Sequence, residues 1–208
     1  MRYEEYLREA MDAFTESSLI EAEDFPDIEL YADQVIGFLN EKLKVYGEEP
    51  EKQIISKTMI SNYIKHNMLP RPVKKKYNSD HMIMLALIFH LRNTFRMNEI
   101  ELIMKPFLDN YDSAFDDKID FRALYKALYP VLKEEHVRSA EGIMKSVENV
   151  KDAIWDEGVE DDDTTELFSV LLSIALQMDA AKYAARKLLD EYYTKRSEKH
   201  NKKSSNKK

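Results

Sequence analysis

The sequence predicts an all-α protein with a small β wing, and three observations support that fold class. Its 208 residues include only 4 glycines and 6 prolines, too few for the many tight turns of a β-sandwich or barrel. Apolar residues recur at helical spacing through most of the chain. One short basic stretch, residues 74–77, suits a hairpin instead. The composition, 44% hydrophobic and 34% charged, is typical of a soluble globular protein.

The chain has no cysteine, which excludes disulfides, cysteine-ligated zinc and thiol catalysis. Its first ten residues are charged and do not lead into an apolar run, so we expect no signal peptide. The longest apolar run, residues 82–89, is far too short to span a bilayer. The sequence therefore predicts a cytoplasmic protein that has no membrane partner.

Charge is distributed unevenly along the chain, whose formal net charge is −8. Residues 52–96, which we call the basic segment, carry 9 basic side chains and 1 acidic one. Residues 1–51 and 97–194 each sum to −11, and residues 195–208 sum to +6. A strongly basic segment inside an acidic protein indicates a localised anion-binding surface. The alternative interpretation of this distribution is a random charge fluctuation, and for residues 74–77 alone it is an ordinary solvated loop.

Two amphipathic helices are predicted before the basic segment. The first covers residues 2–15, and Pro26 then suits the start of a second helix over about 28–45. Leu30, Val35 and Leu39 lie on one stripe of that second helix. A loop over residues 47–50 follows it.

A short helix over residues 56–66 opens the basic segment. Ser56 can cap it, and its apolar face consists of Met59, Ile60, Tyr63 and Ile64. Asn67 tolerates the left-handed backbone that ends many helices, and the prolines at 70 and 72 forbid continuation. The opposite, polar face carries Lys57, Thr58, Ser61, Asn62 and Lys65.

The remainder of the chain predicts further helices. Ser79 can cap a helix that is apolar on all sides and ends near Asn93, and Asn98 with Glu101 has the spacing of an N-cap and its N3 partner. Asp120 can open a helix that ends near Pro130. Two more helices are expected over 132–156 and about 164–193, and the lysine-rich residues 195–208 should be disordered.

These elements group into four regions. We expect an N-terminal helix and linker over 1–27, a winged helix-turn-helix domain over 28–110, a helical bundle over 111–194 and the disordered basic tail over 195–208.

Features of a known family occur in order, and at matching intervals, along residues 54–104. They are Ser56, Ile60 and Tyr63, then Asn67-Met68-Leu69-Pro70-Arg71-Pro72, Lys75-Lys76-Tyr77, the helix from Ser79, Phe95 and Glu99-Ile100. This series resembles the winged helix-turn-helix of MerR-type regulators. The family's helix arginine, turn glycine and wing arginine correspond here to Ser61, Asn67 and Lys75. The whole chain also resembles a bacterial family of uncharacterised proteins built around such a motif, through residues 26–31 and the basic segment.

The resemblance implies a transcriptional regulator that binds double-stranded DNA, with helix 56–66 in the major groove and wing 71–77 on the backbone. Neutral side chains on the helix are suited to read base edges, and cations neutralise phosphates. The expected DNA contacts are Lys57, Thr58, Ser61, Asn62, Lys65, Arg71, Lys74, Lys75, Lys76 and Tyr77.

One such helix reads few base pairs, so we expect a homodimer formed through the C-terminal helices. The sequence identifies no effector. The alternative function is a protein-interaction module, in which the acidic bundle binds a basic partner and the helix-turn-helix is a scaffold.

No catalytic, cofactor or metal site is expected, and we predict that the protein is not an enzyme. The chain has no phosphate-binding glycine loop, no Gly-x-Ser-x-Gly and no His-Glu-x-x-His. His81 and His90 are nine positions apart, which turns them to opposite sides of one helix. The acidic run 156–163 lacks the alternation of a calcium loop.

Overall fold

A computed structural model describes residues 3–47, 52–109, 111, 120–156 and 163–205. The protein is 77% helical, with a two-stranded sheet, which confirms the predicted all-α class with a small β element. Short 3-10 helices lie at Ala22–Asp24 and Lys44–Tyr46. The main elements are α1 (Tyr3–Ser17), β1 (Leu30–Tyr31), α2 (Ala32–Lys42), α3 (Lys57–Lys65), β2 (Lys76–Tyr77), α4 (Ser79–Leu91), α5 (Met97–Leu108), α6 (Phe121–Asp156) and α7 (Asp163–Ser205).

The chain divides into two compact units within α6, between Glu141 and Gly142. The first unit therefore extends well past residue 110, where the sequence predicted a domain boundary. Its core includes Phe121 and Tyr125 from the first turns of α6, each 2% exposed. The N-terminal residues belong to the same core through Ile20, Ala22 and Phe25. Residues 28–110 are thus one part of a larger packed unit.

Helix α4 lies at the centre of the first unit. Its residues from His81 to Ala86 are all buried, together with Ile88 and Phe89. Such burial on every side explains why its sequence is apolar all round rather than amphipathic. The buried side chains of α2, α3 and α5 belong to the same core cluster.

Residues 30 and 31 form a strand, where the sequence predicted the first turn of a helix from residue 28. Leu30 pairs with Tyr77 and Tyr31 with Lys76 in an antiparallel arrangement. Extended backbone is required for this pairing, so α2 starts only at Ala32. The Gln34 side chain then accepts a hydrogen bond from the Tyr31 backbone N–H at 2.9 Å.

Several helix boundaries differ from those expected. Asn78, not Ser79, caps α4, because its Oδ1 accepts from the His81 N–H at 3.1 Å. At α5 the N-cap and its N3 partner lie two residues earlier than predicted. They are Arg96 and Glu99, and the Glu99 side chain accepts from the Arg96 N–H at 2.6 Å. The predicted Asp120 cap is present.

Pro130 lies inside α6, where the sequence predicted a helix end near this residue. An interior proline removes one backbone donor and crowds the preceding turn, but α6 continues through Pro130 as α5 does through Pro106. The helices predicted over 120–130 and 132–156 are therefore one helix.

Polar contacts tie the first half of α6 to the segment before α2. The Tyr125 hydroxyl donates to the Ile20 carbonyl at 2.7 Å. Arg122 Nη2 donates to the Phe25 carbonyl at 2.6 Å and lies 2.8 Å from an Asp27 carboxylate oxygen. Ser79, which the sequence proposed as a cap, instead accepts from Arg122 at 3.0 Å.

The second unit comprises the end of α6, from Gly142, and α7. Helix α7 continues through residue 205, where composition favoured a disordered tail from residue 195. Its stretch Thr164–Tyr193 is long and apolar enough to cross a membrane by length and composition alone, and 6% of the most apolar window is buried.

Candidate nucleic-acid interface

Helix α3 begins as predicted, with Ser56 as its N-cap. The Ser56 hydroxyl oxygen accepts a hydrogen bond from the Met59 N–H at 3.3 Å. Ile60 and Tyr63 are 1% and 3% exposed, which fixes one face of the helix against the core. The rotation of α3 is therefore set by packing, and the opposite face must lie at the surface.

The C-terminal end of α3 is closed by a Schellman motif. Asn67 has a φ of 51°, the left-handed conformation that the sequence predicted there. Its N–H donates to the Ile64 carbonyl at 3.2 Å, and the Met68 N–H donates to the Tyr63 carbonyl at 2.9 Å. Met68 is fully buried next to this turn. The chain leaves α3 in one defined direction toward Arg71.

A side chain of α2 fixes the chain where it enters α3. Asn40 Oδ1 accepts from the backbone N–H groups of Ile54 at 2.6 Å and Ile55 at 3.2 Å. Asn40 Nδ2 donates to the carbonyls of Ile55 and Ile36, both at 2.8 Å. One amide thus joins α2 to the two residues that precede the N-cap of α3. Sequence reasoning missed Asn40, whose only signal is a polar residue beside an apolar helix stripe.

The exposed face of α3 carries the side chains that the sequence predicted there. Ser61 donates its hydroxyl hydrogen to the Lys57 carbonyl at 2.9 Å, which leaves its oxygen lone pairs facing solvent. All five side chains of this face are exposed: Lys57, Thr58, Ser61, Asn62 and Lys65.

A tight turn precedes β2, at the position of the predicted wing. The Lys76 N–H donates to the Val73 carbonyl at 2.9 Å, which closes a turn with two central residues. Those residues, Lys74 and Lys75, have φ values of 50° and 66°. Positive φ at both positions is the requirement of a type I′ turn, which glycine and asparagine satisfy far more easily than lysine. We call residues 73–76 the basic turn.

The predicted cations differ in their electrostatic surroundings. Lys57 lies 3.9 Å from Asp33, and Lys76 lies 3.7 Å from Glu29. The part of the chain that the structure describes places no carboxylate within 4.0 Å of the remaining predicted cations, which are Lys65, Arg71, Lys74 and Lys75. These four side chains are exposed and keep their charge available to an external anion.

Tyr77 belongs to the core and is removed from the set of predicted DNA contacts. It is 7% exposed, and its ring packs edge-on against His81 at 5.4 Å between centroids. Burial raises the pKa of its hydroxyl group. A ring in this position stabilises the β1–β2 pairing and presents no face to a ligand.

A cavity of about 330 Å³ adjoins α3 and adds a cation that sequence reasoning missed. Arg92, just after α4, stacks over the Phe89 ring at 4.6 Å, and its Nη1 lies 3.6 Å from the Met59 sulfur. The only available signal was that Arg92 belongs to the basic segment. The cavity is lined by Met59, Asn62, Tyr63, Arg92, Phe95, Met97 and Ile100.

Among the described residues, no group of three or more His, Asp and Glu side chains is arranged to hold a metal ion. Most of the acidic run that the sequence analysis compared with a calcium loop, residues 157–162, lies outside the described residues. His90 packs against His136, with ring centroids 6.2 Å apart. Burial and, to a smaller extent, the neighbouring His136 lower the pKa of His90 to about 4.

Comparison with known proteins gives one family. The family model described as "Domain of unknown function (DUF1836)" matches residues 20–128, just over half of the chain. The matched range contains α2 to α5, the basic turn and the buried start of α6. No curated protein and no solved structure matches the chain.

Proposed function

We propose that this chain, which belongs to the DUF1836 family, binds double-stranded DNA through the exposed face of α3 and the basic turn. The observation that carries the proposal is the arrangement of α3. Its packing against the core leaves hydrogen-bonding side chains outward, and among the described residues no carboxylate lies within 4.0 Å of the exposed cations in its last turn and after it, which are Lys65, Arg71, Lys74 and Lys75. As in the MerR-type resemblance, α3 would lie in the major groove and the basic turn on the DNA backbone. We propose that the protein is a transcriptional regulator of the cytoplasm.

The dimensions of α3 suit the major groove. Its nine residues span about 14 Å, and the groove of B-DNA is about 12 Å wide. Asn62 is the side chain best suited to read a base, because a carboxamide can make two hydrogen bonds to adenine. Thr58 adds a hydroxyl group that accepts or donates, and Ser61 adds one that accepts, because its hydrogen is donated to the Lys57 carbonyl. We assign sequence preference to these three residues.

The cations supply affinity and register. Lys65 and Arg71 flank the Schellman motif, and Lys74 and Lys75 extend from the basic turn. Arg92 adds a guanidinium beside Met59 on α3. Contacts of this kind go to phosphates and carry no direct sequence information. Lys57 and Lys76 contribute less, because Asp33 and Glu29 already offset part of their charge.

Selection from a random duplex library at about physiological salt tests the proposal. We expect the full chain to enrich a defined motif, and we expect Ser61→Ala/Asn62→Ala to lose that enrichment while remaining folded. Ser139→Ala is the matched control for the hydroxyl, because Ser139 is also exposed and also donates to the carbonyl four residues earlier, at 2.7 Å. The control should select the wild-type motif.

Absence of duplex binding by the folded wild type at low salt would contradict the proposal. A protein-interaction module would then be the better hypothesis, and a DNA-independent partner recovered by the full chain would support it.

A further inference from the structure

Two polar contacts fix which face of α7 points toward α6 in the second unit. Lys151 Nζ lies 3.5 Å from Glu166 Oε1, and Glu166 is 6% exposed. Gln177 Nε2 donates to the Ser146 hydroxyl. Val170, on the same side of α7, is 2% exposed. The register of this helix pair is set by polar contacts, so the remaining faces of α7 have defined directions.

A second apolar stripe runs along α7 at alternating spacings of four and three residues. This is the heptad pattern of a coiled-coil seam, and it extends over more than three heptads. We call it the α7 seam; it consists of Leu167, Leu171, Ile174, Met178, Ala181, Ala185, Leu188 and Tyr192.

The α7 seam is largely exposed in a single copy of the chain. Leu171 is 57% exposed, Met178 51% and Leu188 73%. Large apolar side chains at this density normally meet a partner, because monomeric proteins seldom expose long contiguous apolar patches. The pattern therefore calls for a helix that the described end of α6, from Gly142 to Asp156, does not supply to this face.

We infer that the α7 seam packs against the α7 seam of a second copy, which makes the protein a homodimer. With 100° between successive residues, the seam lies about 70° around α7 from the residues that face α6. Two neighbouring contact directions on one helix are what each helix has in a four-helix bundle. Two α6–α7 pairs, one from each copy, would complete such a bundle.

The surface available is sufficient for a specific interface. Counting the exposed parts of the seam side chains alone, each copy contributes on the order of 500 Å² of apolar surface. Two copies would bury on the order of 1,000 Å², the lower limit for a specific protein interface.

A second copy fits this face better than a lipid bilayer does. The seam continues past Asp179, Lys182 and Arg186, which a bilayer would have to bury or leave at its surface. In a dimer those side chains remain in water beside the seam. The opposite apolar stripe, Phe168, Leu172 and Leu176, is interrupted by Asp179 after about two turns and offers no comparable length.

Light scattering of the full chain during gel filtration, without DNA, tests the inference. We expect two copies per particle for the wild type at micromolar concentration, and one copy for Leu171→Glu. Leu176→Glu is the matched control, since Leu176 is 59% exposed but lies on the opposite side of α7. The control should remain a dimer. Circular dichroism should give equal helix content for all three proteins.

A wild type with one copy per particle would overturn the inference, and so would a Leu171→Glu variant that stays dimeric. Flotation with phosphatidylcholine vesicles addresses the bilayer directly: binding by a one-copy wild type, lost in Leu171→Glu, would assign the seam to lipid. Because DNA is absent from every arm, a failure here is distinct from a failure of the proposed DNA binding. If both proposals hold, the selected motif should be a palindrome.

Discussion

The amide of Asn40 and the backbone of Ile55 exchange two hydrogen bonds, one in each direction, at 2.8 and 3.2 Å. A third bond, from the Ile54 N–H, ends on the same amide. The Asn40 side chain therefore supplies hydrogen-bond partners to consecutive backbone groups of the irregular segment before α3, where no secondary structure pairs them. Ile55 itself is fully buried, so these groups have little access to water.

Replacement of Asn40 by alanine should destabilise the first unit. Three partly buried backbone groups of Ile54 and Ile55 would lose their partners, which we expect to cost about 2–4 kcal/mol of the free energy of unfolding. Urea denaturation measures this. Asn98→Ala, at an exposed position, is the control and should stay within about 0.5 kcal/mol of wild type. An equally small effect at Asn40 would show that water replaces the amide.

The two lysines of the basic turn should lower the stability of the protein and raise its affinity for DNA. Replacing Lys74-Lys75 by Asn-Gly relieves two positive φ values, and we expect a gain of about 1–2 kcal/mol in the free energy of unfolding. The same variant loses two cations, so its affinity for duplex DNA should fall. Thermal denaturation and a titration with duplex measure the two effects. A variant with unchanged DNA affinity would remove the basic turn from the proposed interface.

Acid should destabilise the protein through His90. Its pKa is lowered from 6.5 to about 4 in the folded state, so the folded protein holds His90 neutral. The associated stability is present above pH 6.5 and is lost as the pH falls toward 4, by on the order of 3 kcal/mol. His136 and the Tyr46 ring are the neighbours that a charged His90 would face.

Urea denaturation of wild type and His90→Phe at several pH values between 7 and 4 isolates this contribution. Carboxylates that titrate in the same range affect both proteins equally. The stability difference between the two should therefore shift in favour of the variant as the pH falls. A constant difference would mean that His90 is protonated in the folded state without cost.

The salt dependence of DNA binding should identify phosphate contacts one at a time. Each lysine that neutralises a phosphate contributes about 0.9 to the slope of log affinity against log salt. Lys65→Gln should therefore lower the slope by about that amount and weaken all sequences alike. Lys133→Gln, an exposed lysine of α6, is the control. An unchanged slope for Lys65→Gln would mean that the Lys65 side chain does not contact a DNA phosphate.

Local patterns predicted the parts of the fold that depend on local physics. The Ser56 cap, the Asn67 helix end and the all-round apolar character of α4 follow from neighbours within one or two turns, and all three are present. Asp120 also caps its helix as expected. The polar face of α3 is exposed for the same reason, because helical periodicity alone separates it from Ile60 and Tyr63.

Long-range partners account for the elements that were missed. Leu30 and Tyr31 are extended because they pair with residues near position 77, and no local pattern identifies that pairing. Tyr77 is an expected DNA contact only through its place in the wing of the resembling family, whereas pairing with β1 carries it into the core. Asn40 and Arg92 matter through residues 15 and 33 positions away. Such contacts require a three-dimensional arrangement that one sequence does not reveal.

The burial of most of α4 has a consequence for hydrogen exchange. Its central amides are hydrogen-bonded within a helix whose residues from His81 to Ala86, with Ile88 and Phe89, are buried, so bringing water to them requires the surrounding helices to separate. Exchange at these amides should then occur only when the whole unit unfolds, and their protection factors should report its global stability. The same amides would register any ligand that stabilises the first unit, wherever on its surface that ligand binds.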